Sequence, residues 1–363
     1  MQLSSTLSWL VDTAAESAGA DRLLAELGAH LVADGLPLAG GALTLEVPHP
    51  LIARRSWLWR ADGGDVIEAL GFAPQQAFAM FDTAAAGDAG RRWLSGLAPG
   101  PIHEDTIGPR PDGPTLGWIG TRPFRAAEAD QLRLAARFTA APLSALAARA
   151  TMTAALEAYL GRRSAARVLA SPLRRNTGET IKAALLFADL RGFTALSESH
   201  PPAEVIAALD AWFDRIAGAI HAFGGEVLKF IGDGLLAIFP VTTSPRSACE
   251  AALRAISAAR LGMAHLDAER RGRGLPPLSF GAALHLGEML WGNIGAADRL
   301  DFTAIGSAVN LVSRLEGLCK PLEKTVLVSG ALAAETDIPL VALGTHELRG
   351  IVQPCAVFTL PEE

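Results

Sequence analysis

The chain has 363 residues, half of them hydrophobic, and a net charge of −6. That length supports two domains with packed cores, and the acidic balance leaves no basic footprint for nucleic acid. Three cysteines, Cys249, Cys319 and Cys355, stand far apart without a CxxC pair, as reduced thiols do rather than a disulfide framework. No run reaches the roughly 18 apolar residues of a membrane span, and the N-terminus lacks the basic region of a signal peptide. A soluble, cytoplasmic protein is expected.

Residues 1–125 hold five of the seven tryptophans: Trp9, Trp57, Trp59, Trp93 and Trp118. Residues 20–34 have the spacing of an amphipathic helix stopped by Asp34-Gly35. Gly41–Val47 and Ser56–Arg60 alternate as strands do, and Leu116–Gly120 is a further short strand. The run TRPFRAAEADQLRLAARF opens a closing helix. This order resembles a small GAF-type α/β sensor domain. His49 and His103 fall in Pro-rich loops and read as polar surface groups. Trp57 and Trp59 have two readings: lining a pocket for a small-molecule effector, or filling the core.

Residues 126–178 form a helical linker. Ala126–Leu160 reads as helix, with Leu132, Leu143, Leu146, Leu156 and Leu160 as apolar contacts and a bend or break at Pro142. A basic helix-turn segment, AYLGRRSAARVLASPLRRNTGET, follows.

A second domain spans residues 179–363. In LLFADLRGFT, an apolar run stops at Asp189 and gives way to Gly192, Phe193 and Thr194, so a buried strand carries a carboxylate at its end before a tight turn. Pro201–Phe223 is helical, with Val205, Ile206, Leu209, Trp212, Phe213, Ile216 and Ile220 on one face. GGEVLKFIGDGLLAIF is two strands joined by Asp233-Gly234. Pro245–Arg271 is a long helix with Cys249, Leu253, Ile256 and Leu261 inward, and RGRGLPP is a loop. Leu278–His285 is a strand, and GEMLWGNIG a glycine-punctuated return. Leu300–Ile305 is a strand and Ser307–Leu318 a helix. Thr325–Ser329, Ala342–Leu348 and Ala356–Leu360 complete a mixed sheet with helices on one side.

This order puts Asp189 at a strand end and Asp233 at a hairpin tip, where two carboxylates converge. Converging carboxylates suit Mg²⁺ or Mn²⁺, which take oxygen ligands and assist phosphoryl transfer in pairs. Each aspartate alone has a plainer reading, one as a strand-end cap and the other as a turn residue. FADLRGFT and LKFIGDG are together near-verbatim motifs, however, and this half resembles the catalytic domain of class III nucleotidyl cyclases, which make cyclic AMP or cyclic GMP. The resemblance implies an α/β fold with a ferredoxin-like palm, two divalent cations per site, ATP as substrate and a homodimer. The basic linker segment resembles the transducing element that precedes many such domains, which can pass on helix packing or rotation.

Residue roles follow from the same resemblance. Asp189 and Asp233 hold both ions, and the Leu190 carbonyl completes a metal shell. Amides of the Arg191–Thr194 turn, including Gly192, Phe193 and Thr194, cradle the β- and γ-phosphates. Lys229 lies four residues before Asp233, about 13 Å along a regular strand. That is too far for both to serve one metal, and in the family this lysine reads the purine. Its partner is Thr303, where many members carry Asp and a subgroup including bicarbonate-responsive cyclases carries Thr. Guanylate makers place Glu and Cys at these positions, so adenine is expected here. Asn310 and Arg314, four apart on one helix face, orient the ribose and stabilise charge at the α-phosphate. Arg349 stands where the family carries a phosphate-binding lysine. The expected activity is an adenylate cyclase regulated by the N-terminal domain. The alternatives are a guanylate cyclase or a catalytically silent nucleotide-binding regulator.

Overall fold

The computed structural model describes residues 4–46, 52–72, 89–108, 113–170, 177–296 and 298–361. The chain divides into two units, Met1–Met152 and Thr153–Glu363.

The first unit is built on five antiparallel strands: β1 (Leu38–Glu46), β2 (Ile52–Arg60), β3 (Val66–Phe72), β4 (His103–Thr106) and β5 (Thr115–Gly120), in the order β3-β2-β1-β5-β4. Helices α1 (Ser5–Asp12) and α2 (Ala20–Ala33) bring Leu10, Leu23, Leu27 and Leu31 into one core. Leu132 and Leu143 of α4 (Ala126–Leu160) join it. Helix α3 (Ala89–Leu97) packs Leu94 with Ala42, Leu58 and Ile119 in a separate cluster. Trp57 and Trp59 are 8% and 3% exposed, and Trp59 meets Trp118 edge-on at 6.1 Å. The indoles therefore fill the core. Gly28 leaves room for one of them, since a Cβ there would stand 2.6 Å from the Trp59 ring. His103 is partly buried and pairs with Asp105 at 2.8 Å, while His49 and Val47 lie outside the described residues. Pro142 does not divide α4, which runs through it with the ring buried. The lost backbone hydrogen bond is offset where Leu143 and Leu132 pack into the core.

The second unit contains β6 (Thr177–Leu190), β7 (Glu226–Ile231), β8 (Gly234–Pro240), β9 (Phe280–Gly295), β10 (Leu300–Ile305), β11 (Val326–Ser329), β12 (Val341–His346) and β13 (Cys355–Thr359). Their order is β12-β13-β11-β9-β6-β8-β7, with β10 on β9. The β11–β9 pair is parallel and the others antiparallel, so the sheet is mixed. The central order β9-β6-β8-β7 is the ferredoxin-like arrangement. The helices are α5 (Arg162–Ala170), α6 (Phe193–Ser199), α7 (Pro202–Ala222), α8 (Pro245–Gly272), α9 (Ser307–Glu316) and the short α10 (Gly330–Ala333).

Three features depart from the sequence reading. Helices cover both faces of the sheet: Ala184, Leu186 and Ala188 meet α7 and α8, while Ala183 and Leu185 meet α9. The unbroken apolar run of β6 is the mark of a strand buried on both sides. Residues 280–295 form one 16-residue strand rather than a strand and a return. Gly287 does not break that strand but makes room for α9, since a Cβ there would stand 2.6 Å from that of Ala308. Ile206 and Leu261 are 58% and 67% exposed. Each lies off its helix's buried stripe, where Val205 and Ala208, or Ala259 and Met263, face inward.

Candidate active site

Asp189, the second-last residue of β6, pairs with Gly234 of β8 on one side and Gly281 of β9 on the other. Directly opposed residues share a face, so the carboxylate is flanked by two positions without side chains. A Cβ on Gly234 would stand 2.9 Å from Asp189 Oδ1, and one on Gly281 would stand 2.4 Å from Glu316 Oε1. The two glycines thus floor an acidic recess that ordinary residues would fill.

Asp233 sits at the tip of the β7–β8 hairpin. The turn pair is Gly232-Asp233, with Ile231 paired to Gly234, one residue earlier than the Asp233-Gly234 turn expected from sequence. Gly232 has φ +63° at the first turn position, where a II′ turn wants glycine. Gly234 is needed instead for the close approach of Asp189. Trp212, fully buried on α7, donates its indole N–H to the Asp233 carbonyl at 3.1 Å and packs on Phe280 at 5.0 Å. From sequence Trp212 is only a core residue, yet a buried indole N–H needs an acceptor, and that need was the available signal.

The recess is electrostatically strained. Burial, then the charge of Asp233 and a hydrogen bond with it, push the Asp189 carboxyl up to about 6, while the Leu190 amide opposes the shift. Glu316, at the end of α9, is pushed up to about 7 by burial and then by Asp189, with Arg191 opposing. Sequence reasoning missed Glu316, because its place over Gly281 depends on how α9 packs. Clustered carboxylates disfavour joint ionisation unless a cation joins them. Among the described residues no group of three or more His, Cys, Asp or Glu side chains could hold a metal alone. Mg²⁺, however, uses one or two carboxylates and takes its other ligands from substrate phosphates and water. Asp189 and Asp233 fit that donor chemistry.

Gly192, at φ +73°, precedes α6. The amides of Phe193 and Thr194 open that helix, where backbone N–H groups have no acceptor within it. The Arg191 amide is committed: it donates to the Ser279 carbonyl at 2.8 Å. That removes it from the phosphate cradle expected over Arg191–Thr194.

Lys229 lies on β7 just past a register shift, and its Nζ donates to Asp301 Oδ2 at 2.7 Å. The expected partner, Thr303, is buried two residues further along β10, opposite Gly292. Asn310 and Arg314 are exposed one turn apart on α9, while Val312 and Leu315 are buried. Arg349 lines a cavity of about 500 Å³ together with Glu347 and Val352. Among the described residues, no hydrogen bond or ion pair ties Asn310, Arg314 or Arg349 to Asp189 or Asp233.

Residues 177–359 match the family model of the adenylate and guanylate cyclase catalytic domain. Adenylate cyclase 1 of Rhizobium meliloti is 33% identical over 167 residues, 46% of this chain and 25% of that protein. The adenylate cyclase of Anabaena cylindrica is 32% identical over 164 residues, 44% of this chain and 32% of that protein. The chain thus spans a third or less of the length of these relatives. Among solved structures, a bacterial light-regulated adenylyl cyclase superposes with a TM-score of 0.52 at 22% identity, covering 71% of this chain and 85% of that one. CyaB from P. aeruginosa gives 0.47 at 27% identity, over 52% of this chain and 97% of that one. With half of its length matching that family model, the chain belongs to the adenylate and guanylate cyclase catalytic domain family, the class III nucleotidyl cyclases.

Proposed function

We propose that the chain is an adenylate cyclase, converting ATP to 3′,5′-cyclic AMP and pyrophosphate at sites shared by two protomers. The observation that carries this reading is the Asp189–Asp233 pair, two carboxylates in contact in a recess that favours a cation. Bound there, Mg²⁺ or Mn²⁺ would lower the pKa of the ribose 3′-hydroxyl and neutralise the triphosphate. Asp189, Asp233 and the Leu190 carbonyl hold the ions, two per site. The amides of Gly192, Phe193 and Thr194 take the β- and γ-phosphates. Lys229 and Thr303 read the base, and Asn310 orients the ribose so that its 3′-oxygen faces the α-phosphate. Arg314 stabilises charge growing there, and the Arg349 guanidinium holds phosphate oxygens.

The outward placement of Asn310 and Arg314 supports a homodimer in which a partner supplies them to the carboxylates. Phe230, Ile231, Leu290 and Ile305 of β7, β9 and β10 are exposed apolar side chains, as a self-association face requires. The N-terminal unit acts as the sensor of a small-molecule effector, and α4 and α5 transmit its state. Purified protein incubated with ATP or GTP and Mn²⁺ tests the activity. Cyclic AMP is expected as the main product. A preference for cyclic GMP would overturn the substrate, and no cyclic product at all would overturn the enzyme.

A further inference from the structure

We infer that Asp301 is a specificity-determining residue, the acidic half of the base-reading pair, and that it does the work an aspartate at position 303 would otherwise do. The inference rests on the cyclase reading above.

Lys229 Nζ and Asp301 Oδ2 are 2.7 Å apart across β7 and β10, with side chains 29% and 57% exposed. A pair this exposed adds little to stability, so holding the fold together does not account for it. The lysine side chain is long and flexible, and its ammonium is strongly hydrated. A carboxylate in contact with it limits its conformations before substrate arrives, which lowers the entropy lost on binding.

The chemistry of the bases gives the pair its direction. Adenine carries an acceptor at ring position 1 and a donor, its amino group, at position 6. Guanine reverses both. Lysine offers only donors and an ionised aspartate only acceptors, whereas a threonine hydroxyl serves as either. Lys229 with Thr303 alone therefore fixes one of the two contacts and leaves the other open to either base. Lys229 with Asp301 fixes both, the ammonium toward position 1 and the carboxylate toward the amino group. Alternate residues of a strand share a face at about 3.3 Å per residue, so Asp301 lies some 7 Å from Thr303 on the same side of β10. Thr303 itself faces Gly292 and is buried, whereas Asp301 is exposed.

Initial rates with ATP and GTP test this in the full chain. Asp301→Asn keeps the shape and removes the charge. It should raise KM for ATP at least fivefold, leave kcat within twofold, and lower the ATP-to-GTP ratio of kcat/KM at least fivefold. Asp301→Glu should recover part of the loss. Adding Thr303→Asp to Asp301→Asn should recover more, because it returns a carboxylate to the same face. An Asp301→Asn enzyme with wild-type KM and base ratio would overturn the inference, as would a fall in kcat alone. An inactive wild-type chain would instead overturn the cyclase reading, and this inference with it. Unchanged thermal unfolding of the variant, expected for so exposed a side chain, shows that the fold is retained.

Discussion

Asp189 is held by more constraints than any other site residue: a glycine on each side, a carboxylate in contact and its own neighbour's amide. Asp189→Asn or Asp233→Asn should each cut cyclase activity at least about a hundredfold with the fold intact, since each removes a charged oxygen from the proposed ion site. Wild-type rates in either variant would refute the ion-site assignment. The carboxyls also set a pH dependence. Asp189 rises from 3.8 to about 6 and Glu316 from 4.5 to about 7. Each native group keeps a proton that the unfolded chain has already released, so the stability these two groups contribute is fully present below about pH 4. That contribution is lost as pH climbs through about 6 and 7. The cation-free protein should therefore melt lower at pH 8 than these two groups allow at pH 5. Glu316→Gln should narrow that difference, read as Tm in EDTA across the range; an unchanged difference would show that the Glu316 carboxyl is not under strain. The convergence of Asp189 and Asp233 was legible from a strand end and a hairpin tip. Asp301 and Glu316 were not, because neither contact is local. One depends on β10 lying beside β7, and the other on α9 lying over β9.

Helix α5 is pinned to the strands that carry the candidate site residues. Glu226 opens β7 and is 6% exposed. Its Oε1 accepts the amides of Arg163 and Ser164 at 3.0 and 3.3 Å, which gives α5 an N-terminal cap from outside the helix. Gly161, at φ +80°, permits this approach, since a Cβ there would stand 2.7 Å from that oxygen. Further along, Arg167 pairs with Glu179 of β6 and stacks over Trp291 of β9 at 4.6 Å. Lys229 follows Glu226 on the same strand, so a shift of α5 reaches the hairpin directly. Glu226→Ala should cost about 1 kcal/mol, the usual loss for a missing cap, and lower Tm; Glu226→Gln, which keeps an acceptor, should cost less. Equal losses would show that the acceptor is not what matters. Sequence alone gave α7, β10 and the β7–β8 hairpin because their apolar period or turn residues are local signals. The length of β9 was hidden because its glycines read as breaks. Pairing with β6 along the register from Leu190–Phe280 to Thr177–Asn293 overrides that propensity.

At the scale of the proposed dimer, Asp189 and Asp233 lie together in one protomer while Asn310 and Arg314 are exposed on α9, and the reading that a partner supplies the latter two can be tested directly. Asp189→Ala and Arg314→Ala homodimers should each be inactive, one without its ion ligand and the other without charge at the α-phosphate. In a mixed dimer both lesions fall in one site. The other site then receives an intact Asp189 from one protomer and an intact Arg314 from its partner. Random pairing makes about half the dimers mixed, each with one good site of two, so co-expression should restore roughly a quarter of the wild-type rate. If a single chain supplied both residues to one site, every site in the mixture would carry a lesion and no activity would return. Differently tagged variants purified through both tags establish that mixed dimers form. Inactivity of that doubly purified fraction would refute the shared site while leaving the chemistry assigned to Asp189 and Asp233 standing.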